Sequence, residues 1–405
     1  MKTLGILRFA ALSVLTLSLS AFGISGPDHL SLRPLAMGNA FVAVVDDQNA
    51  LYYNTAGLNL INALGNEQQR PDMANYPRDP MNLSLDFEAN ASPYELLSFF
   101  RLYQKNRHDS DVTTIVGADS GTYTRGVPIP LGIGTGTQLA VHDFGMAAWS
   151  SVEVSPYDDQ GILFPQAGVQ NLQVDAVIQI AGAHGFLDDK LALGAGYVLA
   201  NRQEVENYQV NSAEFDTSTN SKSVHNTLRR LINGLEDTLR TKGHNYEDFG
   251  SYGNGLDLGA LWQQTSEVRF GASLENLGMF LNGVAVVPKL TTGVDYAPSL
   301  LCSGGRLSRK VNVALDLEDL LNSDRNYKFL SKVDMGAEVQ QDLWWLMSVR
   351  LACGFKGGYF TAGGGLSLLS GLHIDAATWA DEAGYYTGQI EQRYYAVTIG
   401  VGFNP

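Results

Sequence analysis

Met347-Ser348-Val349-Arg350-Leu351-Ala352-Cys353-Gly354-Phe355-Lys356 alternates apolar residues with small or charged ones along its whole length. A period of two places Met347, Val349, Leu351, Cys353 and Phe355 on one face of a strand. Arg350 and Lys356 fall on the other. The same alternation recurs at Leu83–Ala89, Val268–Leu274, Val311–Leu317, Val333–Val339 and Tyr395–Phe403. A soluble sandwich also alternates, so strand length and loop lengths must decide. The runs are about 9–11 residues long, the length of a tilted transmembrane strand. Strands are expected near 83–91, 135–143, 144–155, 172–183, 190–201, 255–263, 267–275, 289–297, 309–317, 331–340, 346–355, 359–368, 371–379 and 393–403. Between them the connections mostly alternate long (92–134, 156–171, 202–254, 276–288, 318–330, 380–392) and short (184–189, 265–266, 341–345, 369–370). That asymmetry belongs to outer-membrane barrels, with short periplasmic turns and long outer loops. The fold class expected is all-β, a transmembrane antiparallel barrel of about 14 strands.

The composition agrees. Hydrophobic residues are 45% of the 405, aromatics 10%, and glycines number 43. Mean hydropathy is −0.06, too low for a bundle of membrane helices and too high for a disordered chain. A net charge of −15 disfavours nucleic acid as a partner. The two cysteines, Cys302 and Cys353, cannot staple a fold of this size. No Cys/His spacing suggests a metal, and no cofactor is expected. The first residues read as a signal peptide, 1–23. Lys2 and Arg8 are basic, 9–22 is apolar, and Ala21-Phe22-Gly23 ends it with small residues at the cleavage positions. The mature chain is therefore expected in the outer membrane, against its lipid. Its strand end at Phe403 offers a signal for the barrel-assembly machinery.

Two insertions carry a helical pattern, 94–105 and 222–241 within the outer loops. In the second, Val224, Leu228, Leu231, Leu235 and Leu239 share one face. The polar strand face holds acids (Asp86, Glu88, Glu267, Glu275, Asp295, Asp316, Asp334, Glu338, Asp375) and bases (Arg269, Lys289, Lys310, Lys332, Arg350, Lys356). Mixed signs suit mutual pairing better than an anion-selective pore. His373 with Asp375, and His142 with Asp143, lack a partnered nucleophile, so no catalytic residue and no enzyme is expected. Gly132-Ile133-Gly134-Thr135-Gly136 precedes a strand and not a helix, which argues against a phosphate loop.

Residues 35–58, LAMGNAFVAVVDDQNALYYNTAGL, hold the most specific motif. They resemble the N-terminal segment of the FadL-like outer-membrane superfamily, roughly G-x-A-x-A-x-D-D-x-x-A-x-x-x-N-P-A-G-L, with Thr55 where the family usually has proline. Residues 358–366 and 394–403 resemble the TraF-like and spirochaetal members. In the family's long-chain fatty-acid transporters this segment is a hatch inside a fourteen-stranded barrel. The resemblance implies a hatch and linker at 24–80, followed by the barrel at 81–405. The site residues it singles out are Gly38, Asp46, Asp47, Tyr53, Asn54 and Gly57, the short polar groups among them suited to backbone bonding and local turns. The function implied is passage of hydrophobic small molecules such as long-chain fatty acids. The alternative is a non-transporting scaffold of the PorV type, with a protein partner.

Overall fold

The computed structural model describes residues 31–61, 82–91, 131–160, 165–210, 252–281, 284–302, 309–321, 329–344, 347–368, 371–382 and 391–403. The signal segment and both helical insertions lie outside the described residues.

Fourteen antiparallel strands form a ring. They are β1 (Asn82–Ala91), β2 (Leu131–Val141), β3 (Phe144–Gln160), β4 (Pro165–Phe186), β5 (Leu191–Val210), β6 (Tyr252–Gln263), β7 (Val268–Leu277), β10 (Lys289–Tyr296), β11 (Arg309–Leu317), β12 (Val333–Trp344), β13 (Met347–Lys356), β14 (Tyr359–Leu368), β15 (Leu372–Glu382) and β16 (Glu391–Phe403). Each pairs with its chain neighbours, and β1 pairs with both β2 and β16, Leu83 facing Leu139 on one side and Phe403 on the other. The barrel is closed, so every strand of the ring has a paired neighbour on both sides. A hairpin of β8 (Phe280–Leu281) and β9 (Val284–Ala285) stands outside the ring, between β7 and β10.

Every expected strand has its counterpart, with three adjustments. First, β3, β4 and β5 run to 17, 22 and 20 residues, beyond the roughly 9–11 that cross a bilayer. The excess extends the wall past the membrane at the end where the long loops connect. The β3–β4 register shifts between Ser155 and Pro156; proline has no N–H for the ladder and belongs at such an irregularity. Second, the long connection 276–288 contains the β8–β9 hairpin. Asn282-Gly283 in the sequence is the dipeptide that favours one. Third, Glu267 does not line the lumen. It stands half-buried in the β6–β7 turn, where it accepts the Ser299 N–H at 2.8 Å. Hydrogen bonds from Ser299 lower its pKa.

The outward face is apolar. Leu351 is 65% exposed and Ile133 71%, while their strand neighbours Ala352 and Gly132 are buried. Aromatic residues gather near both rims. Phe355 and Phe360 meet edge to face beside the tight turn at 357–358, and Trp262 tilts on Phe270 beside the turn at the opposite end. An apolar belt between aromatic girdles is the outside of a barrel facing lipid. Cys353 is on this face and Cys302 beyond a strand end; both are free thiols.

Fourteen strands enclose more space than their own side chains fill, a limit reached near ~8 strands. Residues 31–61 occupy it. They form helix α1 (Leu32–Ala36), helix α2 (Ala50–Tyr53) and a 3-10 turn (Thr55–Leu60), all but Gln48 buried. The main hydrophobic cluster lies inside the barrel, formed by this segment and the wall around it.

Candidate functional site

The segment crosses the lumen as a hatch, from the long-loop ends of β11–β13 to the short turn between β2 and β3. Its shape follows from a few residues. Gly38 and Asn39 both take positive φ, 68° and 67°, which glycine and asparagine tolerate best. The chain reverses there against the wall: a Cβ on Gly38 would lie 2.4 Å from the Met335 carbonyl oxygen. The wall has matching gaps. A Cβ on Gly336 would lie 2.0 Å from Met37 O, on Gly271 2.4 Å from Val42 O, and on Gly194 2.4 Å from Ala56 N. Hatch backbone therefore sits on wall backbone at three widely spaced strands.

Charge holds the first half. Arg33 Nε and Nη2 donate to Glu338 of β12 at 2.8 and 2.6 Å, and Nη1 donates to Asp46 at 2.7 Å and Asp47 at 2.6 Å. Its guanidinium also stands 5.0 Å from the centre of the Phe41 ring. Burial disfavours the charged guanidinium, but Glu338 and Asp47 outweigh it and hold its pKa well above the ordinary arginine range. Lys310 of β11 pairs with Asp46, and Arg350 of β13 lies 3.6 Å from Glu338 while pairing with Asp375. Asp316 of β11 accepts the amides of Phe41 and Val42 at 2.7 and 2.8 Å. From β7, Arg269 donates to the carbonyls of Ala43 and Val44 at 3.3 and 3.1 Å.

Neutral contacts hold the second half. Tyr52 donates to Gln138 at 2.9 Å and meets Trp149 edge to face, 4.8 Å between ring centres. Asn54 donates to Val42 O at 2.9 Å and to wall Ala260 O at 3.0 Å, and accepts from Ala56 N at 3.2 Å. Its last bond caps the 3-10 turn at which Thr55 stands first. Asn59 donates to Asp143 at 2.8 Å.

All six residues singled out in the sequence lie within the lumen. Asp46 and Asp47 converge on Arg33. Tyr53 donates to Asn39 at 2.7 Å, Asn54 bridges hatch and wall, and Gly57 leaves room for Val45 O, 2.4 Å from where its Cβ would stand. Sequence reasoning missed Arg33, Gln138 and Trp149. Arg33 had a signal: it is the single charge between Leu30 and Asp46.

A cavity of about 320 Å3 lies between the hatch and the long-loop end. Asn39, Val42, Tyr52 and Tyr53 of the hatch form its floor; Trp149, Val177, Val198, Met279 and Val286 give it apolar walls. Charged residues stand toward the rim, among them Arg202, Glu275 and Lys289. Asp257 of β6 stands opposite two residues of β7, Glu275 and Asn276, at a register shift, and accepts from Gln179 at 3.1 Å and from Asn276 N at 2.9 Å. Among the described residues no His/Cys/Asp/Glu group could hold a metal ion.

A solved deltaS2S3 mutant of the TodX monoaromatic hydrocarbon channel superposes on the chain with a TM-score of 0.51 at 12% identity, over 95% of this chain and 99% of that one. The chain has a FadL-like barrel fold. Two other FadL-like barrels superpose less closely. The toluene transporter TodX of Pseudomonas putida gives a TM-score of 0.44 at 11% identity, over 94% and 98%. A Pseudomonas aeruginosa FadL homologue gives 0.45 at 10% identity, over 95% and 100%. No family model and no curated protein matches the sequence.

Proposed function

We propose that this barrel is an outer-membrane channel for small hydrophobic molecules, with residues 31–61 as the hatch that keeps its lumen from leaking. The observation that carries the reading is the cavity of about 320 Å3, floored by the hatch itself and walled by apolar side chains. A solute bound there touches the element that must move for it to pass. The short turns face the periplasm and the long loops the exterior, as in barrels of this kind. The hydrocarbon channel of the same fold supports the hydrophobic class. Long-chain fatty acids are one member of that class, and no residue of the cavity selects a chain length.

A scaffold of the PorV type is the second reading. The observation favouring it is the ion-paired hatch, built to stay shut. Uptake separates the two. Gram-negative cells lacking their own hydrocarbon and fatty-acid channels would express the parent chain or a chain deleted for 24–64. The channel reading expects labelled toluene or oleate to enter faster with the parent than with empty vector. It also expects the deletion to admit bulky polar antibiotics that the parent excludes. Assembled, heat-modifiable parent barrel with no gain in hydrophobic uptake overturns the channel and leaves the scaffold.

A further inference from the structure

The cavity's chemistry says more than "hydrophobic". Two features of it point the same way. The first is aromatic: Tyr52, Tyr53 and Trp149 line it, and aromatic rings attract organic cations. The second is charge. Five carboxylates line it (Asp175, Asp257, Glu275, Glu318, Asp334) against two cations, Arg202 and Lys289. Both cations are already engaged. Arg202 forks onto Asp175 at 2.7 and 3.0 Å, and Lys289 pairs with Glu318. Among the described residues, Asp257 receives neutral donors, the Gln179 amide and the Asn276 N–H. Asp334 accepts the Gly357 N–H at 2.9 Å and stands directly across the strand register from a further buried carboxylate, Asp316. Lys356 pairs with Asp381 at 3.1 Å and also acts through space on Asp334.

We propose that the cavity above the hatch takes a compact hydrophobic cation, an amine or quaternary ammonium carrying one ring or a short alkyl body, in preference to a carboxylate such as a fatty acid. The proposal rests on the channel reading above and narrows its substrate. An ammonium group would lie between the aromatic faces and the carboxylates, which is how quaternary ammonium ligands are generally held. Its apolar body would lie on Val177, Val198 and Met279. A carboxylate in the same place would meet a negative excess with both lining cations spoken for. The volume fits a small ligand, being at the low end of the ~300–1,000 Å3 of ligand pockets.

Three probes sharing one ring decide it: benzyltrimethylammonium, benzyl alcohol and benzoate. Their binding to the purified full-length barrel in a maltoside detergent is read by equilibrium dialysis. The ammonium should bind roughly tenfold more tightly than the alcohol, and the benzoate more weakly than either. D334N and D257N should each weaken the ammonium by about tenfold and leave the alcohol unchanged. W149L should weaken the ammonium more than the alcohol. Asp257 lies at a strand irregularity, so D334N is the safer variant, and heat-modifiable migration verifies that each barrel is assembled. Equal binding of ammonium and alcohol, or binding of benzoate as tight as either, overturns the charge preference while leaving a hydrophobic channel intact. Binding of none of the three overturns the cavity as a ligand site. The channel reading then stands or falls on hydrophobic uptake alone.

Discussion

The two halves of the hatch are buried to the same degree but held by opposite chemistry. From Ser31 to Gln48 the segment is anchored by charge: Arg33, Lys310 and Arg350 interlock with Asp46, Asp47, Glu338 and Asp375. From Asn49 to Ile61 it is anchored by shape and by hydrogen bonds from uncharged side chains, with Leu51 and Leu58 packed over Gly145 and Asn54 bonded to the β6 backbone. A buried ion network gains little net stability over a well-packed apolar one. Breaking it from one side is nonetheless very costly, because the partners remain charged in a dry place. Neutral contacts fail more gently. The charged half is therefore the one that holds the hatch to a single position. The neutral half, which supplies Tyr52 and Tyr53 to the cavity floor, is the one a ligand can shift at lower cost.

The largest effect should come from Arg33→Met. It strips Asp46, Asp47 and Glu338 of their common cation and leaves the wall untouched, at a cost of about 3–5 kcal/mol in hatch docking. Hydrogen exchange should quicken markedly in 31–48 and less in 49–61, and dye permeability of the outer membrane should rise. Exchange rising equally in both halves would mean that the charges hold the entire hatch.

Next is a change that should not touch the hatch. Leu351→Arg on the lipid face of β13 should destabilise the barrel by about 2–4 kcal/mol, read as a lower urea midpoint in lipid vesicles. The relative exchange of 31–48 and 49–61 should stay as in the parent. If it changes, hatch docking follows barrel stability in general, and the contrast between the halves is not local.

How much of this could be read in advance differs between wall and hatch. Strand positions were legible because lipid outside and polar lumen inside impose alternation wherever the chain is in the membrane. The alternation of β13 and β16 needs no other information. It fades where β4 and β5 extend past the bilayer, since water on both faces relaxes the pattern, and so their lengths could not be read. Asp46, Asp47 and Asn54 were legible as groups that would need partners. The partners were not: Glu338 lies 305 residues from Arg33, and only the closed ring brings β12 against α1. The cavity was invisible for the same reason, as its floor comes from the hatch and its walls from strands about a hundred or more residues further along the chain.

The smallest effect expected is that of Asn54→Ala, and it tests the comparison most finely. Asn54 makes three bonds: to Ala56 within the second half, to Val42 in the first, and to Ala260 in the wall. Losing the side chain leaves the Ala260 and Val42 carbonyls and the Ala56 amide without that partner, a cost of about 1–3 kcal/mol. If the halves are separate units, the loss falls on the second. Amides of 49–61 should then exchange faster, those of Phe41 and Val42 should stay protected on Asp316, and resistance to polar antibiotics should change little. If the bond to Val42 O is what joins the halves, protection at Phe41 and Val42 falls in step with the rest. A hatch that opens as one body in response to a neutral substitution would not owe its fixed position to the charges, and Arg33 would be one contact among many.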